Sequence, residues 1–182
     1  MATTYVSEDK KNLTVTLKSD EMRFAIMNKT HVTARSLEAN GKLGYEAAAA
    51  MQANEDDENM YELARAITTA IADTEIELNE FLDKETPITE SDNLIDALVE
   101  QTDGEVEINL TLPTNFDSSA ANAVGKEIHD FIVGRSIYAW YRQTAPDLAA
   151  ACKADGDEAL AQAKRSLYRR LRPTRPTPTR PA

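Results

Sequence analysis

Two short segments of the chain alternate apolar and polar residues, which is the pattern of a strand that buries one face. The first is NLTVTL, Asn12 to Leu17, and the second is EVEINLTL, Glu105 to Leu112. The apolar side chains of the second segment would share one face: Val106, Ile108, Leu110 and Leu112. Because an isolated strand leaves backbone groups unpaired, each strand needs a partner, and the two could pair with each other. We therefore predict a small two-stranded β element.

Most of the remaining sequence repeats apolar residues at helical spacing. Four helices are predicted before residue 144: Asp20 to Ala39, Glu55 to Glu85, Asp92 to Gln101, and Asp117 to Gln143. Pro87 would close the second of these helices, and a last helix would start again at Thr144 and Pro146. The triplet Asp155-Gly156-Asp157 could kink or split this last helix. The predicted fold class is mainly α, a helical bundle with the small β element and an extended C-terminal arm.

The helix from Asp117 to Gln143 is apolar on two faces and should be covered on two sides. It ends in the aromatic segment IYAWYRQT, which holds the only tryptophan, Trp140. One interpretation is a local core where the last two helices cross. The other is an interface anchor made by Trp140 and Tyr141, since Trp and Tyr dominate binding hot spots.

A weak internal similarity links Asn12–Leu37 with Ile108–Ile137. Each segment has a strand, a polar cap and a helix that carries Lys, His and then Arg-Ser followed by an aliphatic residue. Arg35-Ser36 and Arg135-Ser136 are the best-matched positions. The alternatives are a true duplication and two unrelated strand-to-helix units.

Charge divides the chain unequally. Residues 159–182 hold seven basic residues and no acid, whereas residues 1–158 hold 13 basic and 31 acidic residues. The prolines of the C-terminal segment cannot join a helix interior or a central strand, so this end should be extended. We predict one helical domain, residues 1–172, followed by a basic, Pro-rich arm, residues 173–182. The predicted protein-binding residues of this end are Arg169, Arg170, Arg172, Pro173, Arg175, Pro176, Pro178 and Arg180.

Three roles are open for this arm: a solvated terminus, an arm that docks on the acidic surface of a neighbouring copy, and an arm that touches nucleic acid. The acidic body repels phosphate and so favours docking on a copy over binding nucleic acid. Such an arm would begin as a helical stem and become extended at Pro173.

The sequence shows no constellation typical of catalysis or of a cofactor site. His31 and His129 lack a second ligand at metal-binding spacing, and Cys152, the only cysteine, lies among alanines. A single cysteine excludes an internal disulfide, and we expect an intracellular place of assembly without a signal segment or a membrane span. We expect no cofactor, no metal and no enzymatic activity.

The stretch INLTLPTNFDSSAANAVGKEIHDFIVGRSIYAWYRQT, which continues to a helix that ends LYRRLRPTRPTP, is the most distinctive part of the second half of the chain. It resembles a family of small tailed-phage proteins found in phages and prophages of gut Bacteroidetes. It covers about Glu105 to Arg175.

The resemblance implies a virion protein of the phage neck, a head–tail connector subunit that joins portal to tail. Its partners would be copies of itself in a cyclic ring, together with the portal and tail or other neck proteins. DNA would pass through the channel without specific binding, and assembly would take place in the host bacterial cytoplasm. The alternatives are another virion ring or tail-completion protein and a cytosolic adaptor that binds partners through its basic tail.

Overall fold

A computed structural model of the chain describes residues 2–9, 11–90, 94–99 and 104–171. This part of the chain is mostly helical, which confirms the predicted mainly α class. Its strands are β1 (Thr3–Val6), β2 (Asn12–Lys18), β3 (Ile88–Glu90) and β4 (Glu105–Thr111). Its helices are α1 (Ser19–Ala39), α2 (Tyr45–Met51), α3 (Asp57–Glu77), α4 (Leu94–Val99), α5 (Ala121–Thr144) and α6 (Pro146–Leu167), and one 3₁₀ turn, Ser118–Ala120, precedes α5.

The β element has four strands among the described residues, so the prediction of two strands was wrong. The sheet is antiparallel in the order β1-β2-β4-β3. The two predicted strands are its central pair, β2 and β4, and they do pair with each other. Their inward side chains are fully buried: Leu13, Val15, Leu17, Val106, Ile108 and Leu110. The strands that sequence reasoning missed are the short edge strands, which bury few apolar residues.

The two NLT tripeptides lie directly opposite each other in the central pair. Leu13 faces Leu110, Asn12 faces Thr111 and Thr14 faces Asn109, so the pairing has local two-fold symmetry. The Thr14 hydroxyl donates to the Asn109 side-chain oxygen at 2.8 Å.

The symmetry does not extend to the Arg-Ser positions of the internal similarity. Arg35 pairs with the nearby Glu38, whereas Arg135 reaches Asp73 on another helix. Both alternatives, a true duplication and two unrelated strand-to-helix units, stay open.

Helix α5 is the centre of the fold. It contacts α1, α3, α6 and strands β1 and β2. Apolar residues are buried on both of its predicted faces, including Val124 and Ile128 on one and Val133 and Ile137 on the other. The prediction that this helix is covered on two sides is confirmed.

Helix α3 ends at Glu77, earlier than the predicted Glu85, because the backbone after it forms hydrogen bonds with strand β4 instead of continuing the helix. The amide of Thr111 donates to the Phe81 carbonyl at 2.6 Å, and the amide of Asp83 donates to the Asn109 carbonyl at 2.9 Å. These bonds place the segment after α3 beside strand β4 and are incompatible with continued helix. The predicted apolar stripe nevertheless stays buried through Leu82.

Helix α6 runs without interruption through Gly156, so the predicted break at Asp155-Gly156-Asp157 was wrong. Gly156 lies against Gly134 of α5, where a Cβ added to Gly134 would come within 3.0 Å of the Gly156 Cα. The glycine therefore serves close helix packing. The helix ends at Leu167, earlier than the predicted helical stem, which was expected to continue to Pro173.

The remaining predicted elements fit in part. Helix α1 matches its prediction closely, α2 was not predicted, and α4 lies within the predicted Asp92–Gln101 helix, whose ends fall outside the described residues. Residues 172–182, which include the predicted arm 173–182, also lie outside the described residues. None of the helices in the described part of the chain is long and apolar enough to cross a membrane.

Candidate interaction site

The C-terminal end of the described chain is fastened to the segment that leads into α5. After α6 the backbone turns and pairs with Asn115–Asp117: the Asp117 amide donates to the Arg169 carbonyl at 3.1 Å, and the Leu171 amide donates to the Asn115 carbonyl at 3.0 Å. Arg170 forms a β-bridge with Phe116, whose side chain is buried. The described chain therefore ends, at Leu171, at a defined place on the body.

Arg169 and Asp117 add a side-chain contact at this exit. The guanidinium Nε lies 3.1 Å from the Asp117 carboxylate, which also accepts hydrogen bonds from the Ser119 hydroxyl and amide. The Ser119 bonds, followed by the charge of Arg169, hold the pKa of Asp117 below its ordinary value. Asp117 thus stays ionised at neutral pH and pairs with the first arginine of the basic end.

Tyr168 ties the same end to the segment after α3. Its ring packs edge-on against Phe81 with centroids 5.0 Å apart, and its hydroxyl donates to Glu80 at 3.1 Å. Nearby, the Lys164 ammonium lies 3.0 Å from Glu77. These contacts join α6 to α3 across the exit.

Of the predicted arm residues, the structure describes only Arg169 and Arg170. Arg169 forms the ion pair with Asp117, and Arg170 donates to the Leu167 carbonyl. The other predicted arm residues lie outside the described residues: Arg172, Pro173, Arg175, Pro176, Pro178 and Arg180.

Trp140 and Tyr141 are core residues of this chain rather than exposed surface aromatics. Trp140 is 8% exposed and donates its indole N–H to the Met51 carbonyl at 2.9 Å, and Tyr141 is 1% exposed. The bond to Met51 holds the end of α2 on α5, so the tryptophan serves a helix junction different from the expected α5–α6 crossing. Their placement fits the local-core interpretation.

A cleft of about 680 Å³ opens between α1, α5 and α6, and sequence reasoning did not find it. Its lining comes from all three helices. The residues are Asn28, Lys29, Val32 and Thr33 of α1; Glu127, Asp130, Gly134, Ile137 and Tyr141 of α5; and Cys152, Asp155, Glu158, Ala159 and Gln162 of α6. Because these helices are far apart in sequence, no local motif announces the cleft.

The charge of the cleft is mainly negative, with four carboxylates and one ammonium, that of Lys29. Asp130 already has partners on its own helix, since Lys126 lies 3.2 Å away and the His129 ring 3.4 Å away. Burial raises the pKa of Asp130, but the bonds from Lys126 and His129 outweigh it and leave the pKa below its ordinary value. Asp155 and Glu158 are exposed and form no ion pair with another described residue.

Two polar groups line the inner part of the cleft. The Tyr141 hydroxyl is shielded from solvent and makes no hydrogen bond of ordinary geometry to another described residue. Burial raises its pKa, and the neighbouring Thr33 lowers it by a smaller amount. Cys152 is half-buried, and burial, followed by repulsion from Asp155, raises the pKa of its thiol. Cys152 is therefore less ionised at neutral pH than an ordinary thiol.

The two histidines are not brought together with a catalytic or metal-binding set. His31 bonds to Gln52 at 2.9 Å, whereas His129 lies beside Asp130 at a second groove that includes Phe24. Within the described residues, no group of three or more His, Cys, Asp or Glu side chains is arranged to hold a metal ion.

Searches with protein-family models, curated proteins and solved structures found no match to this chain.

Proposed function

We propose that this chain is a structural subunit whose copies assemble into the head–tail connector ring of a tailed phage. The main support for the proposal is that the residues leading into the basic C-terminal segment are held at one place on an otherwise acidic chain. The bonds to Asn115 and Asp117 hold the stem through Leu171, and three further arginines follow it in a segment without acids.

A fixed exit favours a docking role for the arm. A terminus that only aids solubility gains nothing from backbone bonds and an ion pair that set its direction, whereas an arm that must reach one site on a neighbour does. The opposite charges of body and arm allow identical subunits to join head to tail, and such contacts close into a ring when the rotation between subunits divides a full turn.

The resemblance of the second half to neck proteins supports the more specific role. In that role the partners are copies of the chain together with the portal and tail or other neck proteins. The acidic body suits the wall of a channel for DNA, because a wall that repels phosphate does not retain the duplex.

Native mass spectrometry of the purified full-length chain, with electron microscopy of the same sample, tests this function. We expect a single cyclic stoichiometry and ring-shaped particles. A monomer at every concentration tested would contradict the proposal. A gel shift with duplex DNA at moderate salt would instead favour an adaptor that binds nucleic acid through its tail.

A further inference from the structure

We infer that the cleft between α1, α5 and α6 receives the Arg-Pro segment, residues 172–182, of a second copy of this chain. This inference rests on the proposed assembly function and assigns the docking site that the proposal leaves open.

Charge complementarity is the first argument. The segment carries three arginines and no acid, and the cleft has four carboxylates against one ammonium. The two carboxylates of α5 are partly compensated, Glu127 by Lys126 and Asp130 by Lys126 and Lys29. Asp155 and Glu158 are the uncompensated pair, and their i,i+3 spacing puts both on one side of α6. Arginine is suited to this pairing because its guanidinium presents several donors to a carboxylate.

The buried Tyr141 hydroxyl is the second argument. A polar group this deep normally has a hydrogen-bond partner; Thr33 of the cleft lining lies close enough to lower the pKa of this hydroxyl but does not form a hydrogen bond of ordinary geometry with it. A polyproline-type segment has no internal hydrogen bonds, so its carbonyl groups are free to accept one. The neighbouring Val32 and Ile137 supply apolar surface for proline rings.

The dimensions of the segment fit partial insertion. At about 3.1 Å per residue in the polyproline conformation, its eleven residues span about 34 Å. Three residues per turn put Arg172 and Arg175 on one side, about 9 Å apart. A cleft of about 680 Å³ is within the usual range for ligand pockets and takes a few residues of such a segment rather than all of it.

The direction of the chain favours a second copy over the same copy. Leu171 is fastened beside Asn115, past the C-terminal end of α6, while the cleft is lined by the middle of α6, from Cys152 to Gln162. Binding within one chain would need the segment to turn back along α6, whereas binding to a second copy needs no such reversal. Arg172 precedes a proline, which disfavours a helical conformation at that residue.

The single native cysteine allows a direct test. Cys152 lines the cleft, so T174C in the full-length chain adds one thiol to the segment that should reach it. Because the raised pKa slows reaction of Cys152, labelling of the parent protein with a monofunctional maleimide first establishes the time and pH at which this thiol reacts fully. Under those conditions we expect a short bismaleimide to join Cys152 of one chain to the T174C thiol of another, which gives a ladder of covalent multimers. Peptide mapping would identify the link. The C152A/T174C protein shows what arises from contacts between two arms alone.

Charge variants show whether the carboxylates matter. Adding D155N and E158Q to T174C should lower the yield of the link, relative to monofunctional labelling of Cys152 in the same variant, by about 2- to 30-fold, the range expected for the loss of two exposed ion pairs. The reference to monofunctional labelling is needed because D155N also lowers the pKa of the Cys152 thiol. The matched control is D157N with E75Q, which removes the same charge from exposed positions outside the cleft and should leave the yield unchanged. Circular dichroism of both proteins checks the fold.

The outcomes distinguish a failure of the cleft assignment from a failure of the proposed assembly. A ring that forms without the Cys152 link, a link confined to single chains, or equal yields for both charge variants would overturn the cleft assignment and leave the ring proposal standing. A protein that forms no multimer at all would contradict both.

Discussion

The close packing of α5 on α6 makes a sharp prediction about two glycines of the same pair of helices. A Cβ added at Gly134 would lie 3.0 Å from the Gly156 Cα and 3.2 Å from its nitrogen, both backbone atoms. A Cβ added at Gly156 would have no neighbour closer than 3.6 Å. Substitution of alanine for glycine therefore crowds backbone atoms at position 134 but makes only ordinary van der Waals contact at position 156.

The magnitudes follow from two opposing effects. Alanine is favoured over glycine within a helix by about 1 kcal/mol, and this gain applies at both positions. Overpacking against a backbone that cannot move alone costs about 1–3 kcal/mol and applies only at Gly134. We expect G156A to raise the free energy of unfolding by about 0.5–1 kcal/mol and G134A to lower it by about 0–2 kcal/mol.

Urea unfolding followed by far-UV circular dichroism measures both variants, at one protein concentration because assembly adds to apparent stability. The double variant places two methyl groups against each other and should be less stable than the sum of the single effects predicts. If G134A is as stable as G156A, the helices are not packed as closely as these distances require and the reasoning is refuted.

Three further predictions concern assembly, the thiol and the tryptophan. Association of the full-length chain should weaken steeply with added salt, measured by light scattering, since screening acts on exposed charges; association that ignores salt would point to apolar docking. The pH profile of Cys152 alkylation should show a thiol pKa above the ordinary value, and D155N should move the profile to lower pH because it removes the repulsion that disfavours the thiolate; an unmoved profile would contradict the closeness of the two groups. W140F should lower the free energy of unfolding by about 1–3 kcal/mol, since the buried Met51 carbonyl loses its donor, and urea unfolding that matches the parent protein would show that this bond contributes nothing.

Elements with a complete apolar pattern could be predicted from sequence. The alternation in NLTVTL and EVEINLTL identified the central strands, because each buries a full face of three side chains. Helices α1 and α5 followed in the same way from their apolar spacing.

Elements decided by tertiary contacts could not be predicted. Strand β1 has the sequence TTYV, in which no residue is fully buried, and it forms because β2 offers an open edge. The residues after Glu77 have the spacing of a continuing helix, but β4 offers their backbone better-placed partners. Gly156 suggested a break because its neighbour across the helix interface, Gly134, is not visible in local sequence.

Of the candidate site, only the basic C-terminal segment could be predicted from the sequence. The basic C-terminal end was evident from the sequence, since seven basic residues stand there without an acid. The cleft was not, because Lys29, Tyr141 and Asp155 belong to three helices and meet only through their packing on α5. Tyr141 was expected at an interface for its residue type, but its side chain is buried between the helices that form the cleft.

The most direct test of the central claim compares the native mass of the full-length chain with that of a chain ending at Leu171, which keeps the bond to Asn115. The account predicts a ring for the full chain and a folded monomer, with unchanged circular dichroism, for the shortened one. A shortened chain that assembles into the same ring would contradict it.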